Sequence, residues 1–235
     1  MDVVQAFVLL LKLFYCGHPT PPGSCNDSVC LSSYGRLWDY RYTSGWGSIW
    51  MVEPTEIRTE RLLLRPFRLK DVDDVYAYAK EAEFSRFLPL PSPYQYKHAE
   101  TYVAASFLTA WNVQPRFAIS FDGKVIGGIN IRIDHASQTA ELGYGIASAH
   151  WGKGFTVEAA AAVINWSFLN FDIAKVSARA DILNRQSWRV MEKLGMKREG
   201  ILRSQEPPNP VTPDERVDMV HYGILREEWE RQTGR

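Results

Sequence analysis

From Arg61 onward the apolar positions switch between close-set runs and helical spacing, and each switch marks an element. Residues 61–67 form a short apolar run closed by Pro66 and read as a strand. Asp71 then stands where a helix cap is needed, ahead of Asp73, Val75, Tyr76 and Tyr78. A Pro-rich loop over 85–93 carries Phe87, Leu88 and Leu90. The spacing predicts a second helix over 98–111, with Tyr102, Ala105, Phe107, Leu108 and Trp111 on its apolar side. Strands over 116–121 and 124–134 flank Asp122-Gly123, a hairpin turn pair, and Gly127-Gly128 weakens or bulges the second of them. Residues 139–146 complete a meander. A helix follows with Val157, Ala160, Ala161, Ile164 and Phe168 on one face.

Further strands are predicted over 175–181, near 196–201 and over 217–225. Between the first two, Asn184 opens a short helix through Val190, Met191 and Leu194, and Gly195 closes it. The order β-α-α-β-β-β-α-β-α-β-β has no internal repeat and predicts an α+β fold with a mixed sheet, not a doubly wound one.

Composition narrows the classes. Lys+Arg and Asp+Glu are both 27, so no global charge draws the chain to nucleic acid or to an anionic membrane. The three cysteines, Cys16, Cys25 and Cys30, all precede the patterned region. The body therefore needs no disulfide, which fits a reducing, cytoplasmic compartment. Cys25, Cys30 and His18 do not have zinc-site spacing, and no metal is expected.

The chemistry concentrates at His150-Trp151-Gly152-Lys153-Gly154-Phe155-Thr156-Val157-Glu158. A strand, a glycine turn and an alanine-rich helix offer free N–H groups and a positive helix end to a phosphate, with Lys153 at the rim. A tight turn with no ligand is the plain alternative. The P-loop pattern is absent. The dinucleotide fingerprint lacks its third glycine, since Val157 stands there, and belongs to a parallel unit rather than a meander. Glu158 reads as a structural or dipole-pairing residue. His150 is either a phosphate contact or a simple loop histidine.

Several motifs occur in one order: Thr59-Glu60-Arg61-Leu62-Leu63-Leu64-Arg65-Pro66, Ala140-Glu141-Leu142-Gly143-Tyr144, Trp151-Gly152-Lys153-Gly154-Phe155, Asn184-Arg185-Gln186-Ser187 and Lys193-Leu194-Gly195-Met196. With these the chain resembles the GNAT acyltransferases, in particular the RimJ/RimL-type ribosomal-protein alanine and serine N-acetyltransferases. The resemblance spans roughly residues 59–229. It implies a mixed, mostly antiparallel sheet with helices on both faces, acetyl-CoA as acyl donor, and a monomer or homodimer. It further implies a peptide N-terminus or a small amine as acceptor, with neither nucleic acid nor membrane as partner. The CoA pyrophosphate would lie on the turn formed by Trp151, Gly152, Lys153, Gly154, Phe155 and Thr156, and Asn184 would face the acetyl-CoA or peptide channel and count among the catalytic residues. Thr156 departs from the usual Gly or Ala there. The acetyl oxygen would meet a backbone N–H at Ile146 or Ala147.

Amine acetylation needs a neutral amine and a protonated leaving thiol. A peptide α-amine, at about 7.7–8.0, is partly neutral already, whereas a lysine near 10.4 requires roughly 4.6 kcal/mol to lose its proton. A weak base acting through water suffices for the former. Glu141, in a small and apolar strand, is the candidate base; the alternative is a structural ion pair with Arg132 or Arg179. Ser187 is implied by resemblance as the group protonating the thiolate, or else is a plain helix-start hydroxyl. Loops over 84–94 and 205–214 would line the acceptor groove, or are simple connectors. A non-catalytic acyl-CoA sensor, or an enzyme using another acyl group, remains the alternative reading.

The first fifty residues differ in texture. Residues 3–16 are apolar but shorter than the about 20 residues a membrane span needs, and they make a poor signal peptide, with Asp2 and no basic n-region. Residues 18–50 show no helical or strand period. Residues 1–50 are expected to be a poorly structured extension, either dispensable, with Met51 the natural start, or genuine, with 51–235 forming the acetyltransferase domain. Protein begun at Met51 would match the full chain in solubility, melting and turnover in the first case; a clear loss places the extension in the working unit.

Overall fold

Strand alternation and one early-ending parallel pair determine this architecture, which is a computed structural model describing residues 52–235. The expectation for residues 1–50 lies outside the described residues. The first half contains β1 (Ile57–Arg58), β2 (Leu63–Pro66), α1 (Val72–Ala79), α2 (Ala82–Ser85) and α3 (Tyr96–Leu108). The meander is β3 (Arg116–Phe121), β4 (Lys124–Asp134) and β5 (Thr139–Ile146). The remainder is α4 (Phe155–Asn170), β6 (Lys175–Asp181), α5 (Arg185–Lys193), β7 (Lys197–Glu206), β8 (Val217–Leu225) and α6 (Arg226–Thr233).

All eight strands join one sheet in the order β1-β2-β3-β4-β5-β6-β8-β7. Asp122 and Gly123 both take positive φ, 48° and 78°, so the hairpin turn forms as the dipeptide predicted. The β4 irregularity lies beside Gly127, where a side chain would collide with the Gly145 carbonyl. Phe117 and Ile119 face one side of β3 and Ala118 the other, and all are buried. The first two join the core under α4; Ala118 joins a second core with Val75 and Ala79 of α1 and Ala99 and Val103 of α3. Helices thus cover both faces.

The only parallel pair among the described strands is β5–β6, and its register covers just Thr139↔Lys175, Ala140↔Val176 and Glu141↔Ser177. Beyond Glu141 the strands part. β5 stays with β4 as far as Ile146, and β6 stays with β8 as far as Asp181. This gap shapes the site.

Several details differ from the sequence expectation. Asp71 does not cap α1 but turns back, accepting from Arg65 at 2.7 and 2.9 Å and from the Arg68 N–H at 2.7 Å. The α3 face is rotated: Ala99, Val103 and Ser106 are buried, while Phe107 and Leu108 are 56% and 77% exposed. The helix ends at Leu108, and Trp111 packs edge-on to Phe117 in the other core, so drawing the period through Trp111 misplaced the face. In α4 Ala161 is exposed and Ser167 is buried, because Ser167 donates to the Val163 carbonyl at 2.6 Å while the alanines carry too little surface to fix a period. The strand near 196–201 extends to Glu206, and α6, which buries only Trp229, lacks a readable apolar stripe.

Glu158 pins the start of α4 to the β1–β2 connection. Its carboxylate accepts from Thr59 Oγ1 at 2.6 Å, Arg61 N–H at 2.8 Å and Arg61 Nε at 2.7 Å. Burial opposes its ionisation, but these bonds outweigh burial and hold the carboxyl below its usual value of 4.5. A lowered folded value means this stabilisation is complete above about 4.5 and is lost as pH falls through the folded value. Replacing Glu158 with Ala should destabilise the protein by about 1.5–3 kcal/mol at pH 7. Thermal unfolding across pH 3–7 should show the deficit shrinking in acid.

Candidate active site

Glycine makes the β5-to-α4 turn possible. Gly152 and Gly154 sit at φ 73° and 80°, a region side chains rarely adopt. The first backbone bond of the helix start is Glu158 N–H to the Gly154 carbonyl, so the N–H groups from Gly152 to Val157 have no partner among the described residues. Arg61 holds the turn from outside: it donates to the Lys153 carbonyl at 2.9 Å and lies 4.5 Å over the Phe155 ring. Trp151 ties the turn to the strand by donating its indole N–H to the Ile146 carbonyl at 2.8 Å.

The strand gap leaves specific backbone atoms unspent. Ala147 N–H donates to the Ile126 carbonyl at 2.8 Å. That bond makes the facing pair Gly127↔Ile146 a non-hydrogen-bonded pair, so the Ile146 N–H points away from β4 into the gap that β6 has left. Of the two donors expected from the resemblance, Ala147 is therefore committed to the sheet and Ile146 faces the gap.

Across the gap, Asn184 caps α5 by accepting from the Ser187 N–H at 3.2 Å. The Tyr144 hydroxyl donates to the Ser187 carbonyl at 2.9 Å and lies 3.2 Å from Ser187 Oγ. Burial pushes the Tyr144 phenol up to about 12, against a smaller lowering by the Ser187 bond. Tyr144 thus spans the gap, keeping its proton at any ordinary pH.

Two cavities meet at Tyr144 and Gly145. The first, about 490 Å³, runs along Ile146, Trp151, Gly152, Gly154, Phe155 and Thr156 to Asn184 and Ser187. Lys153 and Ala147 do not line it. Its far wall carries Arg185, Arg189 and Lys193, spaced four apart on one side of α5. His150 also lines it; desolvation, then Lys153, lowers its pKa, and its buried Nδ1 has no partner among the described residues. The second cavity, about 470 Å³, is walled by apolar side chains of α1 and the 84–94 loop and includes Glu141. Residues 205–214 line neither; Asn209 instead bonds the buried Asp181 at 2.7 Å.

Glu141 is 37% exposed and bonded to Arg179 at 3.0 Å, with Arg132 at 3.8 Å. Both pairings foreseen as its structural alternative are present, on the lining of a cavity that also carries apolar side chains. Sequence reasoning missed the role of Tyr144, whose only signal was a bulky residue between Gly143 and Gly145. It also missed the Arg185–Arg189–Lys193 stripe, which helical spacing would have given. Among the described residues no group of three His, Cys, Asp or Glu is placed to hold a metal, and no helix is long and apolar enough to cross a membrane.

Residues 61–197 match the family profile described as an acetyltransferase (GNAT) domain. The chain is 30% identical over 174 residues to the uncharacterized N-acetyltransferase YnaD of Bacillus subtilis, covering 74% of this chain and 98% of that one. It superposes with TM-score 0.66 on a crystal structure of a GNAT-family acetyltransferase from Bacillus anthracis, at 27% identity over 74% of this chain and all of the other. The fold is also shared, at 16% identity and TM-score 0.66, with RimL, a ribosomal L7/L12 alpha-N-protein acetyltransferase solved with coenzyme A, over 74% of this chain and 99% of that one. A glycine turn with free amides after a parting strand, matched along more than half the chain to one family, leads to a single assignment: the protein belongs to the GNAT acetyltransferases.

Proposed function

We propose that this protein transfers an acetyl group from acetyl-CoA to a primary amine by direct attack, with no covalent enzyme intermediate. The carrying observation is the meeting of the two cavities at Tyr144 and Gly145, one bounded by free helix-start amides and the other by an apolar wall with a carboxylate. The amides of Gly152–Val157 suit the pyrophosphate, and Arg185, Arg189 and Lys193 suit the remaining phosphate charge. Thr156, half-buried on the cavity wall, adds a hydroxyl at the turn. The Ile146 N–H is aimed where the acetyl oxygen would gain negative charge.

In this reading the amine nitrogen bonds to the thioester carbon, the carbon–sulfur bond breaks, the sulfur gains a proton and the nitrogen loses one. The Ser187 hydroxyl donates toward the sulfur. Tyr144 and Asn184 position it through the carbonyl and the N–H of the same residue. Glu141 receives the amine proton through water, oriented by Arg179. A peptide α-amine or a weakly basic small amine suits so modest a base. A body without cysteine fits a reducing compartment such as the cytoplasm.

Thiol release from acetyl-CoA with an amine panel tests the reading; CoA binding with no turnover on any amine would favour a sensor. Ser187→Ala and Glu141→Gln should each lower kcat on the order of 10²-fold while leaving CoA affinity within twofold. Tyr144→Phe should lower kcat without altering the CoA dissociation constant, and wild-type rates should show no falling limb from a phenol between pH 7 and 10, since Tyr144 titrates at about 12.

The basic stripe makes a separate prediction. Replacing Arg189 and Lys193 together with Ala should weaken CoA on the order of tenfold and flatten its salt dependence, read by calorimetry at two ionic strengths. An unchanged salt dependence would remove the stripe from the cofactor site.

A further inference from the structure

The second cavity constrains the acceptor. Its volume of about 470 Å³ is that of a site for one small molecule or one residue. Val75, Phe84, Leu88, Leu90 and the rings of Tyr78 and Tyr102 form the wall. Its floor is one face of β5, where Glu141, Gly143 and Gly145 follow at every second position. The two glycines leave bare backbone there. A side chain at 145 would press on the Phe84 ring at 3.1 Å, and one at 143 on the Asn130 amide at 3.2 Å.

Apart from Arg132 and Glu141, the polar groups among the cavity's described lining residues are neutral: four tyrosine hydroxyls and the amides of Gln114 and Asn130. The hydroxyls of Tyr78 and Tyr102 have no hydrogen-bond partner among the described residues, though Tyr78 is only 5% exposed. Both tyrosines line the cavity. Desolvation raises both phenols, which keeps them neutral donors. Gly128 makes room for the Tyr102 oxygen, which a side chain there would meet at 2.7 Å. Asn130 lies nearby, its Oδ1 accepting from Gln114 at 3.1 Å and its amide N–H groups without a partner among the described residues. Glu141 is the only carboxylate on the wall, and Arg179 and Arg132 already flank it.

We infer that the acceptor is a monoamine on a compact, mainly apolar body that also bears one uncharged hydrogen-bonding group. This rests on the acetyl-transfer reading above. The apolar wall buries the body. A carbonyl or hydroxyl of the ligand completes the Tyr78 and Tyr102 hydroxyls, which are costly to leave unmade in a dry site. Polyamines and amino sugars fit poorly: additional ammonium groups would be desolvated against leucine and phenylalanine with no second carboxylate among the described lining residues, and a sugar ring would set hydroxyls against the apolar wall of Val75, Phe84, Leu88 and Leu90. The chemistry occurs in a free aryl- or alkyl-amine and in the first residue of a peptide with a large apolar side chain.

The test is calorimetric binding to the full-length protein saturated with CoA, using phenylalaninamide, alaninamide, spermidine, glucosamine and a tripeptide amide beginning with Phe. Phenylalaninamide should bind at least about tenfold tighter than alaninamide, spermidine or glucosamine. Tyr102→Phe should weaken it about 2–10-fold while CoA affinity stays unchanged. A tripeptide binding equally well identifies a peptide as the source; binding by phenylalaninamide alone identifies a free amine. Equal or stronger binding of alaninamide, spermidine or glucosamine, or no binding by any of the five, overturns the inference. Thiol release on the same panel separates the two claims. Transfer to spermidine as efficient as to phenylalaninamide leaves acetyl transfer standing and removes this substrate class; selective phenylalaninamide binding with no thiol release does the reverse.

Discussion

Two parallel strands that pair for three residues and then separate organise everything else in this molecule. The separation follows from competing loyalties. β5 is the last strand of a hairpin meander and keeps its antiparallel ladder with β4, while β6 keeps its ladder with β8 over its whole length. In a strand the N–H groups alternate in direction, so a lost neighbour on one side leaves every second residue with unspent backbone groups. Here those residues are Tyr144 and Ile146. Trp151 takes the Ile146 carbonyl, and the N–H beside it stays available at the place where the two cavities meet.

The glycine turn depends on the same gap but is held by charge. Its amides remain free because nothing in the turn accepts from them, while the groups that would pull the turn out of shape are tied elsewhere. Glu158 fastens the helix start to Thr59 and Arg61, and Arg61 in turn fastens the Lys153 carbonyl. The arginine of the opening motif thus acts at a distance of ninety-odd residues in sequence, as a brace under the turn. With its carbonyl held by Arg61, Lys153 stays off the lining of the first cavity.

Where one local force decided the outcome, the sequence was readable. The Asp122-Gly123 hairpin, the strands Thr139–Ile146, Lys175–Asp181 and Val217–Leu225, and the Asn184 cap with its Gly195 stop all follow from turn chemistry and alternation. Reading failed where a tertiary partner took over. Asp71 has the side chain of a helix cap, but a buried arginine six residues earlier claims both its oxygens. Trp111 looks like the end of an apolar stripe but belongs to the opposite core. Glu141 was legible as a carboxylate on the right strand, yet its ion pairs depend on β4 and β6 lying on either side of it, which only the sheet order reveals. Tyr144 was invisible as a bridge because its partner, Ser187, is 43 residues away on another element.

The zero net charge that argued against large polyanionic partners is an average over two sites with opposite requirements. The first cavity gathers Arg185, Arg189 and Lys193 opposite a helix start, a mainly positive environment with one carboxylate, Glu83, on its lining. The second holds one carboxylate between two guanidiniums and is otherwise neutral and apolar. On the proposed reading, charge favours a polyanionic donor in the first cavity and a weakly charged amine in the second. The same sorting limits what the acceptor side can be. An acceptor carrying phosphate would prefer the donor's cavity, and one carrying several ammonium groups would find a single, already paired carboxylate. Within that proposal, local charge distribution restricts the acceptor more tightly than total charge does, because the second cavity offers an amine one paired carboxylate and an apolar wall.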